Sequence, residues 1–467
     1  MNFQIISKIL IRILSVSAFA MSVCTGVAAY FGEAVLPFAL SAAVSATLAI
    51  VLFVFPHRRG TDFGKRQVFF AVALSWISIS IIGTMPYIFS GALPRFVDAL
   101  FESVSGFSTT GASIFPDVEI LPKSILFWRS LSNWIGGIGI ILLVIVIMPS
   151  LKMGSYQMFS MESSLQERIV PRLTDLGARL MGIYVALTGL EAVLLAFGGM
   201  TVFDSLCHAM STVSSGGFST HNGSIAGFSP YIQGIIMLFM LLSGINFIVF
   251  YFIVKGKFQK IRDNEELKYY LLVVLVAGIG MMFLKGNAAG TALREGYFQA
   301  ISNITGTGFS ASDNVQWGGK MGALFVVLLS LCGGSMWSTS GSIKIGRHIV
   351  LIKNIRSIIQ SYIHPHSVRK ITLNTKVISP EDSNAIINFV SLYFLSILAG
   401  SVALLLLGLD ARTAVTAVVS AIGCVGTGDF TALPGAAKTL LAFLMILGRL
   451  ELYAILILFF PSFWRKV

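Results

Sequence analysis

Long apolar runs separated by short polar segments cover the whole chain. The first two runs are joined by a very short turn, which predicts a helical hairpin. Eight further long runs follow, and four shorter apolar segments lie among them, each leading into a small polar loop that contains glycine. The long runs cover about Ile9–Tyr30, Ala34–Phe55, Val68–Phe89, Ile125–Pro149, Leu176–Gly198, Ile232–Val254, Tyr269–Leu284, Gly322–Ile343, Ala385–Leu407 and Leu440–Phe460.

The four shorter segments are too short to cross a bilayer and therefore predict re-entrant half-helices. They cover about Pro94–Phe107, Phe203–Val213, Glu295–Ile304 and Thr413–Ile422. The order of span, half-helix, loop and span thus occurs four times, which indicates tandem related units. An acid or a threonine stands at the same distance before a loop glycine in every copy, where its oxygen suits the start of a helix. These residues are Asp98, Asp204, Glu295 and Thr413.

The four loops share a serine that precedes a glycine by six positions. A single loop of this kind is usually a tight connection between helices. Four in register can instead converge on one pseudo-fourfold axis, where backbone carbonyls replace the hydration shell of a monovalent cation. Glycine leaves such a path free of side chains, and the C-terminal ends of the half-helices favour a cation. The predicted ion-binding residues are Ser108, Thr109, Thr110, Gly111, Ser214, Ser215, Gly216, Gly217, Thr305, Gly306, Thr307, Gly308, Gly423, Cys424, Val425 and Gly426.

The composition agrees with a polytopic membrane protein. Hydrophobic residues make up 55% of the chain and charged residues 12%, whereas soluble proteins carry about 25% charged residues. The net charge of +12 does not indicate nucleic-acid binding, because the basic residues cluster in short segments between apolar runs and no binding motif occurs. By the positive-inside rule, this clustering places both termini in the cytoplasm and makes the half-helices enter from the outside.

The predicted fold is an all-α integral membrane protein of about ten spans. It has four tandem span–pore-helix–span modules around a pseudo-fourfold pore, plus an N-terminal two-helix hairpin. The hairpin and its basic loop are expected at residues 1–66 and the first two modules at 67–174 and 175–267. Module three, with its glycine- and serine-rich stretch and a cytoplasmic linker, is expected at 268–382 and module four at 383–467. The chain has no CxxC pair, P-loop or nucleophile triad, so we expect neither an enzyme nor a bound cofactor.

The second span of module three is unusually rich in glycine and serine, which weaken a helix. A broken helix at membrane depth is expected only beside a cavity. The alternative is a kinked helix that packs closely through its small residues. The candidate residues in this stretch are Gly333, Gly334, Ser335, Ser338, Thr339, Ser340 and Gly341.

Arg449 lies near the middle of the last predicted span. A charge at that depth is costly and usually functional, so Arg449 is a candidate functional residue. The alternative is a structural ion pair with Glu451 or with a carboxylate elsewhere in the bundle, such as Glu191.

The loops Thr109–Ser113, Ser215–Ser219 and Thr307–Ser310 resemble the filter loops of the Trk/Ktr/HKT superfamily of potassium transporters, and the resemblance covers nearly the whole chain. The N-terminal hairpin resembles the Trk form more than the shorter Ktr form. Glycine at all four anchor positions implies potassium selectivity in this superfamily. These anchors are Gly111, Gly217, Gly308 and Gly426. The fourth loop, Cys424–Gly428, diverges most from the family pattern.

The same resemblance implies that the glycine- and serine-rich stretch of module three is an intramembrane gating loop. It also implies that Arg449 belongs to this gate, facing the pore below the filter, and that the protein is a homodimer. It also implies a peripheral cytoplasmic nucleotide-binding regulatory subunit of the TrkA type. The expected function is potassium uptake across the bacterial inner membrane, with K⁺ as the transported ion. The alternatives are a sodium-preferring transporter of the same architecture and a membrane scaffold or receptor subunit that transports nothing.

Overall fold

The computed structural model describes residues 3–54, 65–146, 173–285, 289–312, 319–364, 370–374 and 376–465. The predicted basic loop at 55–64 and the last residues of the predicted fourth span, 147–149, lie outside these ranges. So do the first two and last two residues of the chain. In the described part the chain is almost entirely helical, as the apolar runs predict, with one short hairpin of two-residue strands.

The helices follow the predicted order of one hairpin and four units, where a unit is a half-helix with its flanking spans. The hairpin and unit 1 comprise α1 (Phe3–Tyr30), α2 (Leu36–Val54), α3 (Lys65–Ile82), α4 (Met85–Phe89), α5 (Phe96–Phe107) and α6 (Lys123–Val146). Unit 2 comprises α7 (Leu173–Phe197), α8 (Val202–Val213), α9 (Pro230–Ser243) and α10 (Phe247–Val254), and the short α11 (Phe258–Arg262) follows.

Unit 3 comprises α12 (Glu265–Lys285), α13 (Ala289–Thr305), α14 (Gly319–Cys332) and α15 (Ile345–Ile363). An antiparallel hairpin of β1 (Thr372–Leu373) and β2 (Lys376–Val377) then leads to unit 4, with Thr372 opposite Val377. Unit 4 comprises α16 (Pro380–Leu406), α17 (Ala411–Gly423), α18 (Gly435–Arg449), α19 (Tyr453–Leu456), a 3₁₀ turn (Ile457–Phe459) and α20 (Pro461–Trp464).

Within the described residues, eight of the ten predicted spans meet length and hydropathy criteria for crossing a membrane, and two of these eight are bent pairs. The pair Pro230–Ser243 and Phe247–Val254 bends by 95°, and the pair Gly435–Arg449 and Tyr453–Phe459 bends by 111°. The sequence predicted both spans as continuous, and this was wrong. The Asn246 side chain accepts a hydrogen bond from the Ile248 N–H and so starts a new helix after the first break.

The half-helices α5, α8, α13 and α17 confirm the predicted re-entrant segments in position, although α13 starts six residues earlier than expected. The predicted helix-start residues lie inside the helices rather than at the caps. They follow the cap by three residues in α5, α8 and α17, and Glu295 is the seventh residue of α13. The observed caps are Thr201, which accepts from the Asp204 N–H, and Asp410, which accepts from the Thr413 N–H. Asp98, Asp204 and Thr413 lie in the first turn instead, where a negative charge still suits the helix dipole for the two acids.

Two buried apolar cores hold the four units together. One joins the N-terminal hairpin with units 1 and 4 and includes Phe38, Trp128 and Leu447. The other joins units 2 and 3 and includes Phe239 and Phe298. Each core is drawn mainly from two units, and Cys207 and Met210 of unit 2 also join the first core.

Candidate functional site

The four loops at the ends of the half-helices share one backbone conformation. The residue two positions before the anchor glycine has a positive φ in every loop. These residues are Thr109 (φ 54°), Ser215 (φ 56°), Gly306 (φ 80°) and Cys424 (φ 53°). The anchors Gly111, Gly217 and Gly308 also have positive φ, at 72°, 71° and 80°. Left-handed φ is costly for residues with a Cβ, so this agreement indicates one shared loop geometry.

The amide groups of the loops point back toward the half-helices. The Thr110 N–H donates to the Ser105 carbonyl at 2.9 Å, and the Gly216 N–H donates to the Ser211 carbonyl at 2.8 Å. The Val425 N–H donates to the Ser420 carbonyl at 2.9 Å in the same way. In a planar trans peptide, the carbonyl points opposite to the N–H. The carbonyls that precede these amides therefore point away from the half-helix carbonyls to which the amides bond.

The anchor glycines show that the four loops close into a ring. A Cβ on Gly111 would overlap the Gly216 carbonyl of loop 2, and a Cβ on Gly217 would overlap the Thr307 carbonyl of loop 3. A Cβ on Gly308 would lie 2.9 Å from the Gly426 nitrogen of loop 4. A Cβ on Gly426 would in turn lie 2.6 Å from the Thr110 carbonyl oxygen of loop 1. Each loop thus touches the next, and the fourth touches the first.

Burial along the ring follows the same register in each loop. The three residues before each anchor glycine are buried, and the anchor itself is partly exposed in all four loops. Thr305 and Gly423 are the last residues of their half-helices, whereas Ser108 and Ser214 cap theirs. The structure therefore brings all sixteen predicted ion-binding residues to one place.

Loop 4 departs from the other three. The Val425 carbonyl accepts hydrogen bonds from the Ser420 hydroxyl and from the Thr427 N–H. The residues at the same position in the other loops, Thr110, Gly216 and Thr307, direct their carbonyls at a neighbouring glycine instead. The ring therefore has three similar walls and one different wall, and the different wall is the loop whose sequence diverges most.

The glycine- and serine-rich stretch of unit 3 is a buried loop between α14 and α15. It lies against the deep ends of the half-helices. The Thr339 hydroxyl lies 2.8 Å from the Ser215 hydroxyl and 3.1 Å from the Val213 carbonyl. The Ser342 hydroxyl donates to the Gly423 carbonyl at 3.1 Å. The loop therefore contacts the ends of the second and fourth half-helices directly beneath the ring.

Arg449 ends α18 and is buried beneath the ring, with 2% of its surface exposed. Its guanidinium donates to the Thr339 carbonyl of the buried loop at 2.8 Å and to the Gly136 carbonyl of α6 at 3.1 Å. Glu451 pairs instead with Arg347 and Lys344. Arg449 thus ties the buried loop to unit 1, and the structural pair with Glu451 does not form.

Comparison with known proteins identifies this architecture. The family model TrkH, described as a cation transport protein, matches residues 38–275 and 266–466. The chain belongs to this family.

Individual TrkH relatives match along most of their length. The Trk system potassium uptake protein TrkH of Salmonella typhimurium is 34% identical over 433 residues, which cover 88% of this chain and 89% of the relative. TrkG of Escherichia coli, also a Trk system potassium uptake protein, is 34% identical over 88% of this chain and 87% of its own length. The crystal structure of the potassium transporter TrkH from Vibrio parahaemolyticus superposes with a TM-score of 0.92, at 28% identity and full coverage of both chains.

The structure also contains a buried ion pair behind the ring that the sequence did not predict. The Arg129 Nε lies 2.8 Å from the Glu102 Oε1, and both side chains are almost fully buried. Glu102 also accepts from the Ser113 hydroxyl and the Ile114 N–H, and Arg129 donates to the Ser219 carbonyl. The pair therefore fixes the segments that follow loops 1 and 2. The sequence signal that could have predicted this pair is Glu102 itself, an acidic residue within an apolar half-helix.

A second missed residue anchors the buried loop of unit 3. The Glu266 carboxylate accepts from the Met336 N–H at 2.6 Å and from the Gly346 N–H at 3.1 Å. It is 1% exposed. One carboxylate thus holds the loop on both sides of its turn. An acidic residue in the first turn of a helix such as α12 is common, so nothing in the local sequence pointed to its contact with the loop.

On the side of the half-helix starts, a cavity of about 640 Å³ lies beside loops 3 and 4 and is lined by Gly308, Gly426, Gln299 and Asp429. Hydrogen bonds from Thr431 hold the pKa of the Asp429 carboxyl below its usual range, and the positively charged Arg412 lines the same cavity. Among the described residues, no group of three or more His, Cys, Asp or Glu side chains is placed to hold a metal ion.

Proposed function

We propose that this protein takes up potassium ions through the ring of loops around Gly111, Gly217, Gly308 and Gly426. The closure of the four loops into one ring carries the proposal. Carbonyls that face a common centre can replace the hydration shell of a monovalent cation. The relatives named as potassium uptake proteins favour K⁺, as does glycine at all four anchors. All sixteen predicted loop residues are assigned to this path, and the function is transport rather than catalysis.

We further propose that the buried loop of unit 3 is the gate. The loop is buried beneath the ring and in contact with two half-helices, where it obstructs the path on the cytoplasmic side. Arg449 supports this assignment because it binds the Thr339 carbonyl of the loop and puts a positive charge beneath the ring. That charge lowers cation occupancy in the closed state. Gly333, Gly334, Ser335, Ser338, Thr339, Ser340 and Gly341 are the proposed moving residues.

We also propose that the modules end at residues 66, 174, 267 and 382.

The partners and location belong to the same proposal. The protein lies in the bacterial inner membrane with both termini in the cytoplasm, because most basic residues flank the spans on that side. We propose that it works as a homodimer with a peripheral nucleotide-binding subunit of the TrkA type, and the Trk system names of the relatives support a system of more than one subunit.

The test is growth and ion uptake in a bacterial host that lacks its own potassium uptake systems. We expect the protein to restore growth at low potassium and to take up K⁺ faster than Na⁺. Faster uptake of Na⁺ would favour the sodium-preferring alternative. Absence of ion flux from purified protein in lipid vesicles, with and without a proton gradient, would instead favour a non-transporting scaffold.

A further inference from the structure

Glu191 is a carboxylic acid inside a membrane span. It lies on α7, six residues before Phe197 at the helix end, which places it about 9 Å from that end. Its side chain is 0% exposed. Acidic residues buried at this depth are rare, and such a residue is a functional candidate by default.

The carboxyl group of Glu191 has no hydrogen-bond partner for either oxygen in the part of the chain that the structure describes. The Thr212 hydroxyl of α8 faces it without meeting hydrogen-bond geometry. That hydroxyl already donates its hydrogen to the His208 carbonyl at 2.8 Å. Thr212 can therefore only accept a further hydrogen bond, and a carboxylate cannot donate one.

No cation balances a charge on Glu191 among the described residues. The charged groups on the packed helices have other partners: Arg129 of α6 pairs with Glu102, Asp204 of α8 with His221, and Arg179 of α7 bonds the Tyr251 hydroxyl. The remaining titratable groups on the elements packed against α7 are Lys123, Tyr184, Cys207, His208 and Tyr231, and none forms an ion pair with Glu191. An isolated buried carboxylate is far more costly than the neutral acid.

The face of α7 that carries Glu191 packs behind loop 2 of the ring. Tyr184, Thr188 and Glu191 follow helical spacing on that face. The Tyr184 hydroxyl donates to the Trp134 carbonyl of α6, and Thr188 accepts from the Trp134 indole. A Cβ on Gly137 of α6 would touch both Tyr184 and Ser214, which caps the second half-helix. A charge on Glu191 would therefore arise on the same helix face as Tyr184, about two turns away from the contacts that support loop 2.

We propose that Glu191 is a proton-binding site that makes ion uptake respond to pH. The proton stays on Glu191 while loop 2 has the conformation described here. When the pH rises, the carboxyl O–H bond breaks, its electron pair stays on the carboxylate, and the proton passes to water. The unpaired charge then draws in water behind loop 2, disturbs the ring and slows uptake. The effect on flux rests on the proposed function in ion uptake.

The test compares Glu191→Gln with the matched variant Glu381→Gln, whose acid is exposed at the start of α16. The amide that Glu191→Gln introduces imitates the neutral acid in shape and cannot titrate. Potassium flux into lipid vesicles is measured from mildly acidic to mildly basic pH. We expect flux through the unaltered protein and Glu381→Gln to fall as the pH rises. We expect Glu191→Gln to keep its acid-side rate across the range.

An infrared spectrum of the same purified proteins gives a readout that does not depend on transport. The unaltered protein and Glu381→Gln should show the stretching band of a buried protonated carboxyl group at neutral pH, and Glu191→Gln should lack it. Glu191→Asp, which keeps a titratable acid, should retain both a band and a pH-dependent flux. An unchanged pH profile or an unchanged band in Glu191→Gln would overturn the proposal. If no ion flows at all, the infrared band still decides whether Glu191 holds a proton.

Discussion

At the scale of single residues, the ring is built from backbone angles more than from side chains. Gly217 combines a φ of 71° with a Cβ position that the Thr307 carbonyl occupies. Both conditions exclude any residue larger than glycine without a shift of the loops. The sequence could predict this anchor because glycine recurs in register four times.

We predict that Gly217→Ala lowers potassium uptake by about tenfold or more at equal protein in the membrane. The positive φ alone costs about 1–2 kcal/mol for alanine, which corresponds to a factor of about 5–30, and the overlap with loop 3 adds to it. Gly227→Ala is the matched control, because no atom lies within 4 Å of a Cβ at Gly227. Equal uptake by the two variants would contradict a tight ring at Gly217.

Other residues of the site could not be predicted because their partners are distant in sequence. Arg129 meets Glu102 across unit 1 and reaches the Ser219 carbonyl of unit 2. Glu266 binds amides about 70 and 80 positions along the chain. Neither pairing leaves a local pattern, since the spacing depends on how the units pack. The sequence placed Arg449 in the site only because an isolated charge within a span is unusual.

At the scale of elements, the apolar runs predicted the spans and half-helices well and the breaks poorly. The break after Cys332 was expected from its glycines and serines, and the structure has a loop there. The breaks near Gly244 and Arg449 were not expected, because the flanking residues are strongly apolar. Tertiary contacts stabilise these breaks: the Gly244 carbonyl accepts the Ser335 N–H of the buried loop.

We predict that deleting residues 334–340 raises potassium flux through purified protein in lipid vesicles. The deletion removes the loop that lies beneath the ring. It can be closed without stretching the chain, because a Cβ on Gly333 would lie only 2.8 Å from the Gly341 carbonyl oxygen.

The deletion variant is first checked for folding by gel filtration and helical circular dichroism. Its flux is then compared with that of Arg356→Ala, a control at an exposed position of α15, which should match the unaltered protein. Unchanged or lower flux in a folded deletion variant would count against the gate.

At the scale of the whole molecule, the ring needs all four units and both cores. The alternation of spans and half-helices puts every loop on the same side of the bundle, and the two cores hold the units in pairs. This arrangement was predictable because it follows from the order of apolar runs. The sequence showed that loop 4 diverges from the other three loops, but it did not predict the different direction of the Val425 carbonyl. That direction depends on hydrogen bonds from Ser420 and Thr427.

The positive-inside orientation leads to a labelling prediction. Ile120, in the segment after loop 1, is 76% exposed, and Tyr362, at the end of α15, is 84% exposed. With the half-helices entering from outside, a membrane-impermeant thiol reagent should label Ile120→Cys in intact cells. It should label Tyr362→Cys only after the cells are opened.

The unaltered protein gives a low background in this experiment, because Cys24, Cys207 and Cys424 are buried and Cys332 is only partly exposed. Labelling of Tyr362→Cys in intact cells, with Ile120→Cys protected, would reverse the orientation. The basic segments between the units would then face outward, against the rule that short loops rich in lysine and arginine remain in the cytoplasm. The gate would also lie on the outer side of the ring, where a cytoplasmic regulatory subunit could not contact the helix that follows it.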